Sequence, residues 1–138
     1  MQKMINPPHK IQHIVLLTIR LVLAYGFFKP ALMKITNIHS IADWFASINI
    51  PFPTPSAYIA AGTESIGVIF LTLGLFTRWI SIPLIITMTV AIVTVHLENG
   101  FEAGENGFEI PLYYIIMLVT LFTFGGGKYS LDQFLQSN

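Results

Sequence analysis

One carboxylate stands alone in the longest uncharged stretch of the second apolar run. Ala57 to Phe76 reads AYIAAGTESIGVIFLTLGLF, and only Glu64 and the phenol of Tyr58 ionise within it. An isolated carboxylate in such a setting can pair with a cation, hold the polar head of a ligand, or pass a proton. If it faced lipid near the middle of a bilayer it would cost at least about 2.5 kcal/mol. On a helical wheel Ala60, Glu64, Gly67, Leu71 and Gly74 share a face, and their small size lets another helix approach. Glu64 is therefore expected inside a helix bundle, opposite a basic group. Arg20 is the first choice of partner, because guanidinium forks suit carboxylates and Arg20, Ala24, Phe27, Ala31 and Lys34 lie on one face of the preceding run. Lys34, reached from the opposite end of that run, is the second choice, and His96 the third.

Lys34, His96, Glu98 and Glu109 are expected at one end of the bundle, with Arg78 at the other. Arg20, Lys34, Glu64, His96 and Glu109 thus form the candidate polar cluster, with Arg78 and Glu98 as secondary members. Three readings stay open: a structural cluster that fixes helix register, a pocket for a ligand or quinone headgroup, and a proton path. Intramembrane ionisable groups favour the functional readings by default, while a single carboxylate and a single imidazole make a thin relay. No metal site is assigned. His9 and His13 stand four apart but read as solvated, and His39 with His96 is a weak pair for haem. The sequence Glu-Asn-Gly-Phe-Glu occurs twice, at 98–102 and 105–109. It offers four carboxylates but matches no calcium-loop spacing and reads as a solvated acidic loop. Met33, Met88 and Met117 read as packing rather than copper ligands.

The elements that must position these groups follow from composition. The chain of 138 residues is 54% hydrophobic and 10% charged, against roughly a quarter charged in soluble domains, so it reads as one small all-α integral membrane domain. Zero formal net charge gives no basic surface for nucleic acid. The absence of cysteine excludes disulfides, thiolate nucleophiles, iron–sulfur clusters and covalently attached haem. The N-terminus lacks signal-peptide architecture, so the first apolar run is expected to be retained. Four spans are expected at about 11–33, 57–76, 79–96 and 109–125, with Pro30 a kink in the first. Residues 38–48 read as a short amphipathic helix in the interface plane, with Asn37 as its cap. The prolines of PFPTPS read as a rigid entry to the second span, and GGGKYSLDQFLQSN as a glycine break followed by a polar tail.

Four spans put Lys3, Lys10, Arg78 and Lys128 on one side, and Lys34 with Asp43 and four glutamates on the other. By the positive-inside rule both termini are then cytoplasmic, in a bacterial inner membrane.

The frame Arg20…Lys34, Glu64-x-x-Gly67, Gly74-Leu-x-Thr77-Arg78, His96, Gly107-Phe108-Glu109 and Gly127-x-Tyr129-Ser130-Leu131-Asp132 resembles the DoxX family of small four-helix membrane proteins. PFPTPSAYIAAGTE, GLFTRWISIPLIITMTVAIVTVH and ENGF look closest to its HvfX-like branch, associated with maturation of copper-binding modified peptides. The resemblance implies recurring polar positions at Arg20, Lys34, Glu64, Arg78, His96 and Glu109. It also implies kinship with a subunit of a thiosulfate:quinone oxidoreductase. Thiosulfate chemistry without cysteine or metal is hard to write, so the leading expectation is a membrane subunit docking a redox or modification system, with quinone as the cofactor it would admit. The competing expectation is a non-enzymatic membrane partner or small-molecule carrier in copper-peptide maturation and export. The implied partners are the bilayer and the other proteins of the system, and a homo-oligomer is compatible with both.

Overall fold

The computed structural model describes residues 9–136, and every regular element among them is helical. Residues 1–8 and 137–138 lie outside the described set, and with them Lys3 and most of the polar N-terminus used in the charge count. Helix α1 runs His9–Thr36, α2 Ile38–Ser47, α3 Pro53–Leu73, α4 Thr77–Ala91, α5 Glu109–Phe124 and α6 Leu131–Gln136. α1, α3 and the continuous helical stretch Thr77–Asn99 are each long and apolar enough to cross a membrane; α5 is apolar but shorter.

The wide spacing of small and aromatic residues on α1 decides how the bundle closes. Leu16, Arg20, Leu23, Ala24, Phe27 and Ala31 are its buried residues, a stripe at three- and four-residue spacing. α1 packs on α3, α3 on α4, α4 on α5, and α5 back on α1, so the four apolar helices form a closed ring. Leu23, Phe27, Leu71, Leu84, Leu118 and Leu121 fill its centre. Large hydrophobics on the outer faces, such as Tyr25, Ile59 and Ile86, stay exposed, the pattern of a protein whose surroundings are apolar.

Closure between α1 and α5 depends on a missing side chain. The Tyr114 hydroxyl and ring lie against Gly26, and the Tyr114 ring meets Phe27 edge-on at 5.3 Å. A Cβ at Gly26 would fall on the Tyr114 phenol. Gly26→Val is expected to destabilise the bundle by about 1–3 kcal/mol, the usual cost of overpacking. Thermal unfolding in detergent measures it. Adding Tyr114→Leu should recover part of the loss, and an unchanged midpoint in Gly26→Val would contradict the packing described.

Several boundaries differ from expectation for local reasons. Of the prolines of PFPTPS only Pro51 precedes the second long helix. Pro53 starts it and Pro55 falls in its first turn, where a missing N–H costs nothing because no partner exists there. Asn37 does not cap α2. Its side-chain amide donates back to the Met33 carbonyl at 3.2 Å, so it closes the end of α1 instead. α1 continues helical through Pro30. α3 ends at Gly74 in the left-handed region (φ 69°), and Phe76 adopts φ 47° to start α4. After Ala91 the helix widens into a π-turn over Ile92–His96, which shifts the register of His96 relative to α4.

Candidate functional site

Glu64 sits in the middle of α3, 2% exposed. The ammonium of Lys34, in the last turn of α1, donates to Glu64 Oε2 at 3.0 Å. The pair joins the two helices across the α1–α3 contact. Among the described residues each side chain has only the other as a hydrogen-bond partner. Two ammonium protons and Glu64 Oε1 therefore have no protein partner among the described residues, and Lys34 stays partly exposed. α2 covers the neighbouring turns: Ala42 and Phe45 pack on Ala57, with Ile38, Ile41, Ile50 and Ala60 around them. Ala57 and Ala60 lie on the two turns of α3 before Glu64, so this amphipathic helix covers α3 on the turns next to the ion pair.

Arg20, the first-choice partner, is elsewhere. Its guanidinium is fully buried and faces backbone carbonyls. Nη1 donates to Leu71 O at 3.0 Å and Thr72 O at 3.5 Å, Nε to Gly126 O at 3.2 Å, and Nη2 to Tyr129 O. Leu71 is two helical turns from Glu64, about 10 Å along the axis. Arg20 thus reaches α3 about two turns away from Glu64, and the last carbonyls of α3, which have no helical partner, take the arginine instead.

Those contacts fold the tail against the bundle. The segment after α5 is no free polar tail: Asp132 Oδ1 and Oδ2 accept from the Phe76 and Thr77 N–H groups at 2.7 and 3.0 Å, and Asp132 N–H donates to Gly74 O at 3.0 Å. A carboxylate at the N-terminus of α4 satisfies its free donors and suits its dipole. Lys128 N–H donates to His13 Nδ1 at 3.0 Å, which ties the same segment to α1. Gly74 has to be glycine twice over, since its φ is left-handed and a Cβ would meet the Arg20 guanidinium and Ser130. Arg78 lies beside Gly125 in this region.

At the other end of the bundle the expected cluster divides. His96 Nδ1 is 2.9 Å from Asn106 O, and the Asn99 amide donates to the same carbonyl at 3.1 Å. Glu109 Oε1 accepts from Ala103 N–H at 3.1 Å. The two Glu-Asn-Gly-Phe copies close on each other: Phe108 N–H donates to Gly100 O at 3.0 Å, Glu109 N–H to Phe101 O at 2.9 Å, and the Phe101 and Phe108 rings meet edge-on. His96 and Glu109 thus brace the loop, Glu98 is exposed, and neither His96 nor Glu109 bonds to Lys34 or Glu64. Sequence reasoning missed Asp132 and the carbonyls of Gly126 and Tyr129. Their signal was the Gly-Gly-Gly-Lys-Tyr-Ser-Leu-Asp run, whose glycines at 125 and 127 take positive φ.

The DoxX family model matches residues 15–97, which carry Arg20, Lys34, Glu64, Arg78 and His96. The chain belongs to the DoxX family. A protein of Haemophilus influenzae with no assigned function is 34% identical over 129 residues, 88% of the DoxX chain described here and 83% of its own length. A Bacillus subtilis protein named "Putative oxidoreductase CatD" is 30% identical over 105 residues, 76% of this DoxX chain and 73% of its own. No solved structure matches.

Proposed function

We propose that this DoxX protein is the inner-membrane subunit of a quinone-linked redox system and that Lys34–Glu64 is its ligand site. All four apolar helices cross the bilayer, α2 lies in its interface, and both termini are cytoplasmic. The carrying observation is the unsaturated ion pair. A buried pair kept only for architecture gains most when its remaining donors and lone pairs are filled, whereas two N–H donors of Lys34 and Glu64 Oε1 are not. These groups fit a quinone headgroup, whose carbonyl oxygens accept hydrogen bonds. A bound quinone would supply the electron-carrying chemistry that a chain without cysteine does not. Lys34 would orient a carbonyl oxygen, and Glu64 Oε1 would hold or release a proton. The name of CatD supports a redox role, and the lysine and arginine bias supports the orientation.

The HvfX-like runs of the sequence favour a second reading, in which the partner system modifies a copper-binding peptide and the same site holds a different small molecule. Lipid-extract mass spectrometry of the purified protein separates the two. Quinone is expected with the wild type and about tenfold less with Glu64→Gln and Lys34→Gln, the effect of losing one charged hydrogen bond. Glu64→Gln should insert at normal levels and abolish activity of the partner system, and the quinone content of Lys34→Gln is read per inserted protein. Quinone content equal in all three proteins would refute the site, and activity falling only in step with inserted protein would make the pair structural.

A further inference from the structure

At the end of the bundle where α6 folds back, an open cavity of about 560 Å³ lies between the start of α1, the α3–α4 turn and the glycines at 125–127. Thr77 lines it and is fully buried, yet its Oγ1 has no hydrogen-bond partner. Leaving a buried hydroxyl unpaired costs about 1–3 kcal/mol. Ser81, one turn later, avoids this by donating to Thr77 O at 2.7 Å, but Thr77 is the first residue of α4 and has no carbonyl of its own helix to use. Arg78 lines the same cavity, is exposed, and makes no hydrogen bond or ion pair among the described residues. Asp132, the acid on the cavity wall, has both oxygens committed to the Phe76 and Thr77 N–H groups.

Glycine keeps side-chain atoms away from these donors. A Cβ at Gly126 would come within 2.8 Å of Thr77 Oγ1, and one at Gly125 within 3.2 Å of Arg78 Nε. Arg20 stands behind the wall and Lys128 follows the glycine run, so among the described residues basic groups here outnumber acids. The rim is apolar: Phe76, Trp79 and Phe124 are exposed.

We propose that this cavity binds the phosphodiester headgroup of an anionic phospholipid. The Arg78 guanidinium and Thr77 hydroxyl take its phosphate oxygens, and the acyl chains run along Phe76, Trp79 and Phe124. A planar guanidinium fork binds two phosphate oxygens at once, and basic pockets between transmembrane helices recur as lipid headgroup sites. The apolar rim selects the lipid over a soluble phosphate, which would leave three aromatic rings without a contact. This site is separate from Lys34–Glu64, so failure of either leaves the other standing.

Native mass spectrometry of the protein taken from mixed phosphatidylglycerol and phosphatidylcholine nanodiscs tests it. The wild type should retain phosphatidylglycerol in preference to phosphatidylcholine. Arg78→Gln should lower that retention about tenfold, since a charged hydrogen bond is lost, and Thr77→Val severalfold. Lys29→Gln, an exposed cation elsewhere on α1, should leave it unchanged. Arg78 makes no internal bond, so its variant is expected to fold and decides the matter if Thr77→Val does not. Equal retention by wild type and Arg78→Gln overturns the proposal, as does equal retention of the two lipids. In lipid-free detergent, stabilisation by inorganic phosphate that vanishes in Arg78→Gln, with no lipid preference in nanodiscs, would assign the cavity to a soluble phosphate and overturn the lipid.

Discussion

Replacing Arg20 with leucine is expected to release the C-terminal segment from the bundle. The guanidinium is the shared point of three chain regions: the middle of α1, the last carbonyls of α3, and the loop at Gly126 and Tyr129. Leucine fills much of the volume but offers no donor, so the carbonyls of Leu71, Gly126 and Tyr129 lose their partner together. At about 1–3 kcal/mol for each buried acceptor left bare, the loss is roughly 3–9 kcal/mol, comparable with the whole stability of a small domain. Arg20→Lys should recover only part, because an ammonium cannot span the same fork of acceptors. Trypsin reads the outcome directly at Lys128, whose N–H is held by His13 in the intact protein. Cleavage after Lys128 should be at least about tenfold faster in Arg20→Leu, with the four long helices still present by circular dichroism. Unchanged cleavage would mean that Asp132 alone holds the segment.

Lys34→Ala is expected to be the other severe change. It leaves the Glu64 carboxylate, 2% exposed, with no countercharge. Removing one partner of a buried pair costs about 3–5 kcal/mol, mostly the penalty of the charge left behind. The double variant Lys34→Ala with Glu64→Ala should therefore be more stable than Lys34→Ala alone by about 2 kcal/mol, although it lacks more atoms. Chemical unfolding in detergent micelles supplies the four corners of that cycle. Additive losses would show that the two side chains do not depend on each other.

The faces of the long helices were readable because burial inside a ring of helices needs one thing only, a stripe of residues at helical spacing. The stripe Arg20, Ala24, Phe27, Ala31 and the stripe Glu64, Gly67, Leu71, Gly74 are both buried. The burial of Glu64 against a basic residue followed from the same stripe and from the cost of a carboxylate in lipid. Which basic residue could not follow, because a wheel gives rotation about a helix axis and not height along it. Two turns separate Glu64 from the Leu71 carbonyl that holds Arg20, and no periodicity in α1 records the vertical offset between helices. The fold-back of the tail was hidden for a different reason. It is built from backbone carbonyls and glycine torsions, which carry no side-chain pattern, with Asp132 as its single chemical signature. Likewise His96 and Glu109 had the right end of the bundle but opposite needs: each satisfies a backbone group of the loop, and Lys34 draws its carboxylate from α3 instead.

The order in which Arg20 meets its acceptors also sets a timetable for synthesis. Leu71 lies 51 residues after Arg20 and Tyr129 109 residues after it. A nascent chain threads its first helix into the membrane long before the last acceptor has been translated. The clasp therefore closes only once the chain has been made through Tyr129. A product truncated just after α5 would contain every apolar helix and still carry a half-bonded guanidinium among them. The presence of the segment through Tyr129 is thereby converted into a local chemical difference at one buried residue.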